Sequence, residues 1–205
     1  RLASGYERIV RFLAFIGLPL SVLLYFTAGE VTLIIFGDQW TPSIPVFRIL
    51  TLSVGVQIIL SSSGSIFQAA GDTKNLFMCG LFSSILNVTG ILLGIFGFGT
   101  LEAVATCITL TFTVNFAQCY WMMYRMTLHR SLRHFAIQLI SPLMVSILLI
   151  AVLYPLSLMT EGGNIFLTLI VKSIIFFCIF GCYIQLTGEY DITGKVKSII
   201  NKNKR

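Results

Sequence analysis

The sequence predicts an all-α, polytopic membrane protein with about six transmembrane helices. Of its 205 residues, 56% are hydrophobic and 11% are charged, whereas a soluble domain carries roughly a quarter charged residues. The mean hydropathy is +0.91. Six apolar stretches reach the roughly 20 residues that a helix needs to cross the hydrocarbon core. In these stretches the apolar residues are continuous and do not alternate with polar residues. This pattern favours helices over the strands of a β-barrel.

Short connections join the six spans, and none is long enough for a soluble domain. Pro19 lies within the first span and is expected to bend it. We expect a membrane domain over residues 1–190 and a basic tail over residues 191–205. The basic start leads into a run too long for a signal peptide, and because the sequence has no initiator methionine we expect further sequence upstream. The predicted spans cover residues 12–36, 46–70, 76–96, 101–124, 135–159 and 165–186.

The lysine and arginine residues predict the orientation of the chain. With these spans, 12 of the 14 basic residues fall on one side of the membrane. The charged residues in or next to the connections on the opposite side are all acids, namely Asp38, Glu102 and Glu161. Because basic residues are retained in the cytoplasm, both ends of the chain are expected to be cytoplasmic.

The connection between the first two spans has the residues of a turn at the outer membrane surface. Gly37 is suited to end the first helix, and Trp40 is suited to the headgroup region. Pro42 and Pro45 are suited to the start of the next helix, where a missing N–H group is tolerated.

A polar stripe runs along the second span. Gln57, Ser61, Ser65 and Gln68 recur at three- and four-residue spacing, which places them on one helical face. Polar side chains in lipid need a partner or water. Two interpretations stay open: the stripe packs against other helices, or it lines a wet cavity that contacts a polar substrate.

The third span contains a seam of small and polar residues in which Asn87 is the most polar member. Such seams are typical of helix packing, and Asn87 is predicted either to form an interhelical hydrogen bond or to line a cavity. The other members are Gly80, Ser83, Ser84, Gly90 and Gly94.

Two cations lie inside the predicted spans. Arg48 is about one turn below the outer surface, and Lys172 is roughly 10 Å deep in the sixth span. Each side chain is predicted either to extend along the helix so that its charge reaches the lipid headgroups or to contact an anion. The planar guanidinium group of arginine is well suited to bind an anion. Glu30, late in the first span, is interpreted as an interfacial acid.

The sequence contains no motif of a catalytic, cofactor or metal site. It has no phosphate loop, no HExxH and no paired carboxylates within a span. The five cysteines lie in apolar runs and are interpreted as packing residues. The basic loop around His129 and His134 is expected to contact anionic lipid headgroups rather than nucleic acid. We therefore expect a protein that is not an enzyme.

The first hundred residues resemble the C-terminal half of a known transporter family. The matching segments together resemble polysaccharide flippases, of the O-antigen or exopolysaccharide type, in the multidrug/oligosaccharidyl-lipid/polysaccharide exporter superfamily. These segments are RLASGYERIVRFLAF with Pro19-Leu20, IIFGDQW at 34–40, VFRIL at 46–50, QAAGDTK at 68–74 and FGFGTLEAVA at 96–105.

The resemblance implies a transporter of two similar lobes around a central cavity, of which this chain forms most of the second. Such a protein moves undecaprenyl-pyrophosphate-linked oligosaccharides from the inner to the outer leaflet of the bacterial cytoplasmic membrane by alternating access. Membrane lipids, a polysaccharide polymerase and glycosyltransferases are the further partners it suggests. The expected substrate-binding residues are Arg48, Gln57, Ser61, Ser65, Gln68, Asn87 and Lys172.

Three alternatives stay open. An ion-coupled multidrug exporter of the same superfamily needs a titratable acid deep in a cavity, and none is predicted in these spans. A membrane-embedded glycosyl- or acyltransferase needs a catalytic acid or histidine, for which only His129 and His134 are available. A structural subunit would use the polar stripes for packing alone.

Overall fold

The computed structural model describes residues 2–160 and 162–187, which form seven α-helices and no strand within those ranges. Together α2 and α3 make one span, so six helical segments are long and apolar enough to cross a membrane, and the predicted all-α polytopic fold is confirmed. The tail at 191–205 and Glu161 lie outside the described residues. The helices are α1 (Leu2–Phe36), α2 (Ile44–Leu60), α3 (Ser63–Ala69), α4 (Thr73–Leu92), α5 (Leu101–Met122), α6 (Leu132–Met159) and α7 (Ile165–Thr187).

The connection between α1 and α2 is the predicted turn. Gly37 follows the last residue of α1 with φ +86°, a conformation that favours glycine. A 3₁₀ turn over Asp38–Ser43 contains Pro42, and Pro45 lies in the first turn of α2. The ring of Trp40 is exposed and packs against Phe36 at 5.7 Å between centroids.

The second span is not the continuous helix predicted over residues 46–70. It is interrupted at Ser61 and Ser62, whose hydroxyls donate at 2.7 and 2.8 Å to the carbonyls of Ile58 and Ile59. The N–H of Ser62 bonds to the Ile59 carbonyl three residues back, which tightens the turn. Serine hydroxyls compete with the helical ladder in this way, so the run of three serines before Gly64 favours a break.

Helices α1 and α2 cross at two glycines. A Cβ atom on Gly55 would lie 2.9 Å from the carbonyl oxygen of Gly17, so the two backbones come closer than side chains would permit. The N–H of Gly55 also donates to Oγ of Ser21 at 2.6 Å. Small residues are the usual means by which membrane helices approach this closely.

Helix α4 and the π-helical turn that follows it, Leu93–Phe98, form a second tight contact with α5. A Cβ on Gly90 would lie 2.5 Å from the Thr111 side chain, and one on Gly94 would lie 2.7 Å from Cα of Val104. Oδ1 of Asn87 accepts a 3.0 Å hydrogen bond from the Thr111 hydroxyl. Gly90 and Gly94 therefore lie in the predicted packing seam, whereas a Cβ on Gly80, another predicted member, would meet nothing within 4 Å.

A buried aromatic cluster fills the end of the bundle at which α1 begins. The hydroxyls of Tyr6 and Tyr120 share a 2.9 Å hydrogen bond, and Tyr120 donates to the carbonyl of Ile59 at 3.0 Å. The Tyr120 ring stacks on Phe135 of α6 at 4.3 Å. Helices α1, α2, α5 and α6 therefore meet at this end, where the hydroxyls of Tyr6 and Tyr120 are hydrogen-bonded.

Asp72 connects α4 to the π-helical turn that follows α5, Met123–Thr127. Its carboxylate accepts hydrogen bonds from the Thr127 hydroxyl at 2.6 Å and from the side-chain amide and the N–H of Asn75 at 2.7 and 3.2 Å. These hydrogen bonds stabilise the ionised carboxylate and hold the pKa of the Asp72 carboxyl below its ordinary value. The bond from Thr127 has the largest effect. The ionised carboxylate thus caps α4 and anchors the loop that precedes it.

The substitution Gly55→Ala is expected to lower the free energy of unfolding by about 1–3 kcal/mol, because the new methyl group overlaps the backbone of α1. Thermal unfolding of the purified protein in detergent measures the loss. Gly80→Ala is the matched control: a Cβ there meets nothing within 4 Å, and alanine is a better helix former than glycine. Equal stability of the two variants would contradict the close crossing of α1 and α2.

Candidate anion-binding cavity

A cavity of about 380 Å³ opens at the end of the bundle where α1 ends and α7 begins. Its wall is made by α1, the second turn of α2, the last turns of α6, the connection that follows α6, and α7. By the distribution of basic residues, this is the expected outer end of the protein. Its charged and hydroxyl-bearing lining residues are Tyr25, Glu30, Arg48, Tyr154, Ser157, Thr160, Thr168 and Lys172.

Lys172 forms an ion pair inside the bundle. Its ammonium group donates to the carboxylate of Glu30 and, at 2.8 Å, to the backbone carbonyl of Phe26. The Lys172 side chain is only 5% exposed, so snorkelling to the headgroups, one of its two interpretations, is wrong. The side chain reaches across to α1 instead, because a carboxylate and a carbonyl there replace the water that the charge gives up.

Glu30 lines the cavity and pairs with Lys172, a contact that its interpretation as an interfacial acid did not include. Its side chain is 13% exposed and lines the cavity beside Lys172. A sequence signal for the pair existed and was missed. Glu30 precedes the end of α1 by six residues, and Lys172 follows the start of α7 by seven. Both side chains therefore start roughly 9–10 Å from the same end of the bundle, the expected outer end. Opposite charges at equal depth in two helices predict a pair.

Arg48 lines the same cavity from α2 and is exposed. One guanidinium nitrogen lies 3.9 Å from the position a Cβ of Gly29 would take, which places the group beside α1. Among residues 2–160 and 162–187, no carboxylate pairs with Arg48. The structure thus brings both predicted intramembrane cations to one site. The described lining contains two cations and one carboxylate, a formal charge of +1.

The polar stripe of the second span lies elsewhere. Gln57 is half-buried and donates to Oγ of Ser53 at 2.8 Å within α2. Ser61, Ser65 and Gln68 are exposed, and Ser65 lines a separate cleft beside Tyr6 near the other end of α1. None of the four lines the charged cavity in the described chain. Their contact with a polar substrate stays a prediction.

Asn87 is also outside the cavity. Its amide nitrogen donates to the Ser83 carbonyl at 2.9 Å, and its oxygen accepts from Thr111. Both ends of the amide are therefore occupied by helix contacts. The geometry supports the interhelical hydrogen bond, which was one of the two interpretations of this residue.

The fold, with six apolar helical spans and a charged cavity between them, is that of a multi-pass membrane protein. Comparison with protein families gives a match of residues 1–45 to a family described as polysaccharide biosynthesis protein. This segment contains α1, Glu30 and the turn that leads into α2. No curated protein and no solved structure matched the chain. The match supports a relation of the chain to polysaccharide biosynthesis.

The substitution Lys172→Met is expected to lower the free energy of unfolding by about 3–5 kcal/mol, because it leaves the Glu30 carboxylate largely buried without its cation. Adding Glu30→Gln should restore most of this loss, since no uncompensated charge then remains. Thermal or denaturant unfolding in detergent measures both variants. Arg48→Met, at an exposed cation, is the control and should change stability by less than about 1 kcal/mol. Wild-type stability of Lys172→Met would show that the pair does not form.

Proposed function

We propose that the chain forms most of the second lobe of a transporter for lipid-linked oligosaccharide or polysaccharide units. The transporter moves undecaprenyl-pyrophosphate-linked units from the inner to the outer leaflet by alternating access. One observation carries the proposal: a cavity whose described lining residues carry a formal charge of +1 lies among membrane-spanning helices, in a chain whose first 45 residues match a polysaccharide biosynthesis family.

The chemistry of the cavity fits a phosphate-bearing headgroup. Arg48 presents a planar set of N–H donors that matches phosphate oxygens. Lys172, seven residues into α7, adds a second cation at the same site. In surroundings of low dielectric constant these charges attract an anion more strongly than they would in water. The hydrocarbon tail of the substrate would stay in the bilayer while the headgroup crosses.

The exposed polar side chains of the second span fit a role in sugar binding. Ser61, Ser65 and Gln68 are not covered by another part of the described chain. A first lobe facing them would enclose a polar cleft, as in transporters built from two repeats around a central site. Within such a cleft, these residues and Gln57 would offer hydrogen bonds to sugar hydroxyls.

The distribution of basic residues supports the bacterial cytoplasmic membrane as the location, with both ends of the chain in the cytoplasm. In that orientation the charged cavity faces the outer leaflet, where a translocated headgroup would be released. A polysaccharide polymerase and glycosyltransferases would consume and supply the transported unit.

One observation favours a second candidate, an ion-coupled exporter of the same superfamily. That alternative requires a titratable acid in a cavity, and Glu30 meets the requirement. Transport assays separate the two candidates: a drug exporter changes the resistance of cells to toxic compounds and leaves surface polysaccharide unchanged.

Replacing Arg48 and Gln57 by alanine in the full-length protein tests the proposed function. Arg48→Ala should reduce surface polysaccharide about tenfold or more, because a charge-assisted hydrogen bond contributes about 1.5–3 kcal/mol. Gln57→Ala should give a smaller loss, in line with a neutral hydrogen bond. Lys74→Ala, at an exposed cation in the first turn of α4, is the control. Normal polysaccharide at normal expression in both test variants would refute the site assignment.

Thiol labelling tests whether the polar stripe meets water. In a variant without the five native cysteines, Ser61→Cys and Ser65→Cys should react with a water-soluble thiol reagent in intact membranes. Ile147→Cys on α6, where the apolar side chain is 61% exposed, should react far more slowly because it is expected to face lipid. Equal protection at all three positions would contradict a wet cleft.

A further inference from the structure

The charged cavity contains an anion of its own. Lys172 donates to two oxygen atoms, and both belong to α1: the carbonyl of Phe26 and the carboxylate of Glu30. These contacts engage two of the three N–H donors of the ammonium group. Because the side chain is only 5% exposed, we expect a phosphate to reach it through the position that Glu30 occupies. Arg48, in contrast, has no carboxylate partner among the described residues and is exposed in the same cavity.

We propose that Glu30 is a built-in competitor of the transported headgroup, and that its exchange with a phosphate group at Lys172 sets how tightly the headgroup is held. This inference rests on the proposed function and deepens it. Arg48 makes the first contact with an entering phosphate. Lys172 is engaged only when the phosphate displaces the Glu30 carboxylate, and the headgroup leaves when Glu30 returns.

Burial explains why the exchange takes place at Lys172. Its side chain is 5% exposed, so few directions of approach to the ammonium group are open, and Glu30 occupies one of them. The Glu30 side chain lines the cavity and is 13% exposed, so a displaced carboxylate can turn into the open space of the cavity. A buried carboxylate without a cation is costly, and this cost draws Glu30 back to Lys172.

The charge of the cavity, compared with that of a diphosphate, also favours a role for Glu30 in release. With Glu30 ionised, the described lining residues carry a formal charge of +1, whereas a diphosphate diester carries two negative charges. Without Glu30 the two cations would match the diphosphate and hold it tightly. A transporter must release its substrate, so a resident carboxylate that weakens binding favours turnover.

A clamp that merely ties α7 to α1 is the alternative role of the pair. A clamp predicts that substitutions lower stability and leave anion affinity unchanged. Competition predicts that removing the charge of Glu30 increases affinity. The two roles therefore predict different changes in the anion dissociation constant. This difference can be measured independently of any change in stability.

The test measures binding of UDP-glucose, a soluble sugar diphosphate diester, to the full-length protein in lipid nanodiscs by titration calorimetry. Glu30→Gln should bind about tenfold more tightly than wild type or better, and Lys172→Met about tenfold more weakly or worse, as expected for a charged contact. The double variant should bind within about threefold of wild type, because it keeps the net charge of the cavity. Turnover of Glu30→Gln should be slower despite its tighter binding.

Controls separate competition from other effects. Glu161→Gln removes an acid that lies between two cavity residues in sequence, Thr160 and Gly162, and should not reproduce the increase. Glu30→Asp keeps the charge on a shorter side chain and should give an intermediate affinity, which provides a second variant if Glu30→Gln is not monodisperse. Unchanged or weaker binding in Glu30→Gln, or an equal increase in Glu161→Gln, would overturn the inference.

Different experimental results would show that this inference is wrong and that the proposed function is wrong. If the full-length protein restores surface polysaccharide in cells while Glu30→Gln binds UDP-glucose no more tightly, competition is wrong and the transporter stands. If the order of affinities holds but the protein moves no lipid-linked sugar, competition stands and the substrate assignment is wrong.

Discussion

The pairing of Lys172 with Glu30 and the Phe26 carbonyl is the interaction on which the cavity depends. A charge among apolar helices must be compensated from within the protein, because lipid offers neither water nor hydrogen bonds. The Lys172 side chain therefore has to reach α1, and α7 is held at the position where this contact is made. The space left between the pair, Arg48 and the α6–α7 connection is the cavity.

The packing of α1 makes this arrangement possible. The crossing at Gly17 and Gly55 brings α2 so close to α1 that Arg48, seven residues before Gly55 on α2, reaches the same end of the bundle as Glu30. Ser21 strengthens the crossing by accepting a hydrogen bond from the backbone of α2. One helix thus supplies both acceptors of Lys172 and the surface against which Arg48 is placed. The charged site is a consequence of helix packing and not of a sequence motif.

The spans could be predicted because hydrophobic length is a local property that lipid enforces on every segment. The break at Ser61 and Ser62 could not be predicted with the same rule, because it depends on hydroxyl groups that bond to their own helix and leave the hydropathy unchanged. The contact of Lys172 with Glu30 joins residues 142 positions apart. Only a comparison of charge and depth between helices, rather than an interpretation of each residue alone, would have suggested it.

The central claim is that Arg48 and Lys172 together bind the phosphate groups of a lipid-linked sugar. An experimental structure of the full-length protein in lipid, with the diphosphate-linked substrate bound, tests it most directly. The account predicts phosphate density within hydrogen-bond distance of both side chains, with the Glu30 carboxylate turned away from Lys172. Phosphate density on another face of the protein, with the Glu30–Lys172 pair intact and the cavity empty, would contradict it.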